Sequence, residues 1–87
     1  MEEQPKWLER AKSTYNFHRD RMLSNDKWTL GRTSRSLRLS LGSVSEDLMI
    51  ARWCKTHENQ LKKLKYAYEA LAFIREKQRE QDLEKIE

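Results

Sequence analysis

LRLSLGSVSEDL, residues 37–48, decides how this chain folds. Leucines stand at 37, 39 and 41, and Val44 and Leu48 follow at helical steps of three and four. Ser40 suits a helix N-cap, its hydroxyl accepting a hydrogen bond from the backbone N–H of Gly42 or Ser43. Upstream, Thr29 is a second good N-cap. Leu30, Thr33 and Leu37 would face inward on a short helix that Gly31 weakens somewhat. The spacing therefore predicts a helix, a tight turn at Arg38-Leu39-Ser40 and a second helix. On that second helix Leu41, Val44, Leu48, Ala51 and either Lys55 or Cys54 should point inward. Gly42, Glu46, Met49 and Trp53 should point outward, with Ser43, Ser45, Asp47 and Ile50 at the margins.

On either side of this segment the pattern is also helical. Pro5 can occupy a first helical turn. From Lys6 to about Ser24 the residues Leu8, Ala11, Tyr15, His18 and Met22 recur at three and four, flanked by Trp7 and Phe17. Ser24, Asn25 and Asp26 then break the pattern. Lys55 to Asn59 reads as another break, and a last helix is expected from Glu58 through Arg75. Its apolar stripe would be Leu61, Leu64, Ala67, Tyr68, Leu71 and Ile74. In the tail, Leu83 and Ile86 are the apolar residues, spaced so that a partner helix can hold them. The expected organisation is a flexible N-terminus over residues 1–5, one helical domain over 6–75 with its motif at about 29–52, and a charged helical or frayed tail over 76–87.

Composition supports an all-α fold of four to five helices. The 87 residues permit one small domain, and hydrophobic and charged residues are each 37%. Val occurs once and Ile three times, fewer β-branched apolar residues than a sheet uses. The net charge is +4. Residues 28–57 carry Arg32, Arg35, Arg38, Arg52 and Lys55 against Glu46 and Asp47, a balance of +3, whereas residues 76–87 balance at −2. The positive field is central, and such a patch attracts nucleic acid or an acidic surface. A single cysteine, Cys54, excludes an internal disulfide and fits a reducing compartment. With no apolar run of membrane-spanning length and no signal-peptide pattern, a cytoplasmic location is expected.

The stretch WTLGRTSRSLRLSLGSVSEDL, Trp28 to Leu48, resembles the helix-turn-helix segments of phage repressors and plasmid-partition DNA-binding proteins. Ser34, Arg38, Leu39, Ser40, Ser43, Val44 and Ser45 fall in the register of that pattern. Three positions depart from it. Ser34 stands where alanine is usual, Arg38 where the turn usually has glycine, and Glu46 where a basic residue is frequent. An arginine at position 38 needs a left-handed backbone, or else a different turn.

The resemblance implies that residues 40–46 begin a recognition helix that enters a groove of double-stranded DNA. By position, Ser40, Ser43 and Ser45 would meet bases or phosphates, Gly42 would let the helix backbone approach closely, and Glu46 would accept from a cytosine N4. Arg32, Arg35 and Arg38 would hold phosphates, as would Thr29 with the N-terminus of its helix. The function this implies is sequence-specific DNA binding by a transcriptional regulator of a phage or other mobile element, in host cytoplasm or on the nucleoid. Surplus apolar residues on the last helix (Tyr66, Tyr68, Leu71, Phe73 and Ile74) motivate a homodimer through that helix. The alternatives are a phage DNA-packaging recognition subunit similar to small terminases, or a protein-binding adaptor or inhibitor that makes no DNA contact.

Other chemistry has little support. Trp28 reads as a packing anchor and Trp53 as a contact to the last helix or a second subunit. His18 and His57 are isolated, and Cys54 has no companion at zinc-ligand spacing, so no metal or cofactor is expected. No nucleophile–base arrangement, phosphate-cradling glycine loop or paired acid site is recognisable, and the chain is not expected to be an enzyme.

Overall fold

The computed structural model describes residues 4–86, with side chains described through Leu83. Four helices follow one another: α1 (Lys6–Ser24), α2 (Leu30–Leu37), α3 (Leu41–Leu61) and α4 (Ala67–Ile86). No strand occurs among the described residues.

Pro5 stands just before α1 and not within it. Its carbonyl accepts from the N–H groups of Leu8 and Glu9, at 3.0 and 3.1 Å. At the other end the Asn25 N–H donates to the Arg21 carbonyl in an extended conformation, which ends the helix. The Asn25 side chain then accepts from the Lys27 N–H at 3.0 Å, an Asx-type turn that leads towards α2.

α3 is longer than the sequence suggests. The break expected at Lys55 to Asn59 is a kink inside one 21-residue helix, centred on His57 at φ −127°, ψ 32°. Two local causes are visible. The Thr56 hydroxyl donates to the carbonyl of Trp53 at 3.3 Å, competing with the helical ladder. The His57 ring meantime packs between Trp53 and Phe73, with centroids 5.2 and 5.8 Å away, which holds the two halves in register.

The last helix correspondingly starts later, at Ala67, and not near Glu58. Glu69 reaches back to accept from the Tyr66 N–H at 3.1 Å, the acidic half of a capping box. The Trp7 indole N–H donates to the Lys65 carbonyl at 3.1 Å and so fixes this loop against α1. The tail continues the helix through Ile86. The expected Leu83–Ile86 pair falls partly outside the described residues, because the Ile86 side chain is among those not described. Residues 1–3 of the expected loose N-terminus also lie outside.

Two differently built halves make up the interior. At one end Leu8 and Ala11 of α1, Ile50, Cys54 and Leu61 of α3, and Ala70 and Ile74 of α4 form an apolar cluster, with Trp7, Met49, Trp53, Leu64, Leu71 and Phe73 packed around it. At the other end, under α2, the buried groups include Thr14, His18, Thr33 and Asp47 beside Val44, Leu48 and Ala51. Most expected inward positions hold, and Cys54, not Lys55, takes the last one on α3.

The exceptions lie at helix ends and margins. Met22, Leu30, Leu41 and Tyr68 are exposed, and Tyr15 is half-buried. Thr14, Asp47, Ile50 and Ala70 take buried places instead. Periodicity gives a helix face but not how far a neighbour covers it. The first three of those exposed residues stand at or near a helix end.

Candidate nucleic-acid interface

α2, the three-residue turn and α3 form a helix-turn-helix whose local chemistry explains two of the sequence departures. α2 begins at Thr29, whose hydroxyl oxygen accepts from the Arg32 N–H at 3.3 Å. It ends in a Schellman arrangement, in which the Leu39 N–H donates to the Ser34 carbonyl at 3.1 Å and the Arg38 N–H to the Arg35 carbonyl at 3.3 Å. That motif requires a left-handed residue between helix and turn, and Arg38 supplies it at φ 57°, ψ 39°. Among the described residues it is the one non-glycine residue with positive φ. Ser34 completes the turn, because its hydroxyl donates to the Leu39 carbonyl, a bond that alanine cannot make. α3 then starts on Ser40, whose side-chain oxygen accepts from the Ser43 N–H at 3.1 Å, while the Ser40 hydroxyl donates to Ser43 Oγ at 2.9 Å.

Hydrogen bonds dominate the contacts that orient this unit on α1. Asp47 is almost fully buried, and its carboxylate is bidentate to Arg10, with Nε to Oδ2 at 3.1 Å and Nη2 to Oδ1 at 3.0 Å. Oδ2 also accepts from the Thr14 hydroxyl at 2.9 Å. Nearby, the Trp28 indole N–H donates to Thr33 Oγ1 at 2.7 Å, and the same oxygen lies 2.6 Å from His18 Nδ1. Trp28 can only donate, so the Thr33 proton is free to reach a neutral His18 ring. The environment favours that neutral form: burial and the positive charge of Arg52 both hold His18 below the usual imidazole range. Trp28 is thus a packing anchor, with the Phe17 ring edge-on to it at 6.3 Å.

Most of the sequence-predicted residues are exposed. Arg32, Arg35 and Arg38 are all exposed and lie three apart. Arg35 and Arg38 meet no carboxylate among the described residues, and the Arg32 guanidinium stands 6.0 Å from the centroid of the Trp28 ring. Thr29, Ser40, Gly42, Ser45 and Glu46 are exposed and Ser43 half-buried. A Cβ added to Gly42 would meet nothing within 4 Å, so the first turn of α3 is open on that side. Ser40 and Ser43 already engage one another in capping.

Several surface residues on this face are not among the contacts that the sequence predicts. At about 100° per residue, Leu41, Gly42, Ser45, Glu46, Met49 and Arg52 share one arc of α3 of about 140°. Leu41 is 54% exposed, although it was expected inside. Arg52 is exposed about three turns beyond Leu41. Arg21 of α1 stands 5.1 Å over Phe17 and 5.8 Å from the Trp28 centroid, so it extends the basic surface from α2 onto α1. The Phe17–Arg21 spacing of four was the available signal for it. Farther along α3, Gln78 of α4 overhangs the arc. A cleft of about 430 Å³ there is lined by Met22, Leu30, Met49, Arg52, Trp53 and Gln78, among others. Ser45 of the arc also lines this cleft.

The described residues contain no group of three or more His, Cys, Asp or Glu able to hold a metal ion, and no helix long and apolar enough to cross a membrane. Burial raises the Cys54 thiol above its usual range, so it is held as the uncharged form. No protein-family model, curated protein or solved structure matches the chain.

Proposed function

We propose that this chain is a sequence-specific double-stranded DNA-binding protein, a transcriptional regulator of a phage or other mobile element, with the start of α3 entering the major groove. One observation carries the reading. The first turn of α3 is largely exposed, and the helix and turn that precede it carry three exposed arginines, Arg32, Arg35 and Arg38. Phosphate contacts by these arginines, by Thr29 and by the N-terminus of α2 set position and register, and base edges meet Gly42, Ser45 and Glu46. A carboxylate at position 46 favours cytosine through its N4 amino group and disfavours close phosphates.

Titration of labelled duplex from a random pool, at several salt concentrations, tests this reading. Each phosphate contact contributes about 0.9 to the slope of log affinity against log salt. Replacing Arg32, Arg35 and Arg38 together with Ala should therefore flatten the slope by about three and weaken all sequences alike. Equal affinity and equal slope for wild type and triple variant would refute the assignment.

A homodimer doubles the surface that one such motif buries and reads two half-sites. The apolar surplus that motivated it is smaller than the sequence suggests. Ile74 is buried, Leu71 and Phe73 pack on the core, and Tyr66 and Tyr68 stack on each other at 5.4 Å. Tyr66 and Tyr68, stacked but still exposed, and Leu83, 60% exposed on the outer half of α4, remain for a second copy. The cleft beneath Gln78 favours a second reading, a protein-docking module, since exposed Met22 and Leu30 with Met49 and Trp53 give it an apolar lining. Failure to retain any duplex at low salt would turn the assignment towards that reading.

A further inference from the structure

Leu41 is the first residue of α3 and directly follows the Ser40 cap. More than half of its surface is exposed. Its neighbour Gly42 has no side chain, and a Cβ added there would meet nothing within 4 Å. On the helix, Leu41 and Ser45 lie one turn apart on the same side, and Arg38, Ser40, Gly42 and Glu46 around them are exposed as well. The result is a single apolar tip within a polar and basic turn. The major groove of DNA offers a matching partner. Its floor displays hydrogen-bonding groups and one apolar group, the C5-methyl of thymine.

We propose that Leu41 is a specificity-determining residue that packs on the C5-methyl of a thymine in the bound site. The proposal rests on the DNA-binding reading above and adds a base preference to it. Ser45 and Glu46 read hydrogen-bonding edges one turn further on, whereas Leu41 distinguishes thymine from cytosine and uracil through the methyl alone. Gly42 is what brings that contact within reach, because a side chain there would stand between the helix and the groove floor.

The test separates this contact from the reading beneath it. A bound sequence is first selected from a random duplex pool, and each thymine in it is then replaced singly by deoxyuridine, which removes the methyl and leaves the hydrogen-bonding pattern intact. Wild type should lose about three- to fivefold in affinity at one position per half-site, the worth of one buried methyl group. Leu41→Ala should bind the deoxyuridine and thymine duplexes equally there, while Leu41→Met restores the preference. The side chain is exposed, so both variants should keep the wild-type circular dichroism spectrum and melting temperature. Duplex binding with no deoxyuridine-sensitive position, or with the same sensitivity in Leu41→Ala, overturns the contact alone. Failure of wild type to retain any duplex overturns the contact and the DNA reading together.

Discussion

Replacing Arg38 with glycine should leave the protein more stable than replacing it with alanine, and either change should make it a weaker ligand for DNA. Arg38 holds φ 57°, ψ 39° at the end of α2. A residue with a Cβ loses about 1–2 kcal/mol in that conformation, because the Cβ crowds the following carbonyl oxygen. Glycine escapes this but gives the unfolded chain more freedom, worth about 0.4–1 kcal/mol against folding. The net gain is about 0.5–1 kcal/mol. Arg38 also places a cation at a helix C-terminus, a favourable position worth about 0.3–1 kcal/mol, which any neutral replacement forfeits. Comparison with Arg38→Ala removes that term, because alanine loses the same charge yet keeps the Cβ. Glycine should therefore melt about 3–6 °C above alanine, using about 4–8 °C per kcal/mol for a domain of this size. Thermal unfolding followed by circular dichroism measures the difference. In a salt titration with DNA both variants should lose the same single phosphate contact, about 0.9 in slope. Equal melting temperatures for the two variants would refute the reasoning, since the left-handed turn would then carry no strain that glycine relieves.

Other substitutions separate folding from reading in the same way. Gly31→Ala and Gly42→Ala should each stabilise by about 0.5–1 kcal/mol in thermal melts, as neither added methyl meets a close atom, but only Gly42→Ala should weaken duplex binding. Asp47→Ala should destabilise by about 2–4 kcal/mol in urea titration. It removes charge-assisted bonds and leaves the Thr14 hydroxyl without its partner, although half-exposed Arg10 can regain water; a loss under about 1 kcal/mol would count against the clamp. His18 binds a proton less readily folded than unfolded, so its contribution to stability is complete above about pH 6.5 and declines as pH falls through that value towards the lowered folded one. The melting temperature should accordingly drop between pH 7.5 and 5.5, and a His18→Gln variant should lose most of that slope.

Much of the architecture was legible because it depends on local chemistry. Thr29 and Ser40 announce their caps, Asn25 its turn, and the three- and four-residue steps the buried faces of α1 and α3. Residues whose role depends on distant partners were not legible. Asp47 looks like a solvated marginal acid until α1 brings Arg10 to it from 37 positions away. The segment Lys55 to Asn59 reads as a break, yet the helix runs through it, with the His57 ring packed against Trp53 and Phe73. The real connection, from Lys62 to Tyr66, contains neither glycine nor proline, and Glu69 and Trp7 define it through bonds that no local pattern displays. On the candidate surface, α2 and its turn were read from their charges. Leu41 was missed because an apolar residue at a helical step is assigned to the core by default.

The division of the interior bears on how a small domain can present a surface with definite geometry. Apolar contacts hold α3 to α4 and to the start of α1, and such contacts are non-directional. Where α3 carries its exposed arc, bonds of defined direction take over: Asp47 receives three hydrogen bonds from α1, and Thr33 links His18 to Trp28. A side-chain group on a helix stands about 5–6 Å from the axis. Turning α3 by about 20° would therefore move the Asp47 carboxylate by about 2 Å, well beyond hydrogen-bonding distance from its partners. The same rotation would shift Leu41, Gly42, Ser45 and Glu46 by a comparable amount relative to the arginines of α2. A surface that only needed positive charge would gain nothing from such restraint. The placement of a directional clamp directly behind the open turn of α3 fits a surface that must distinguish one base pair from another.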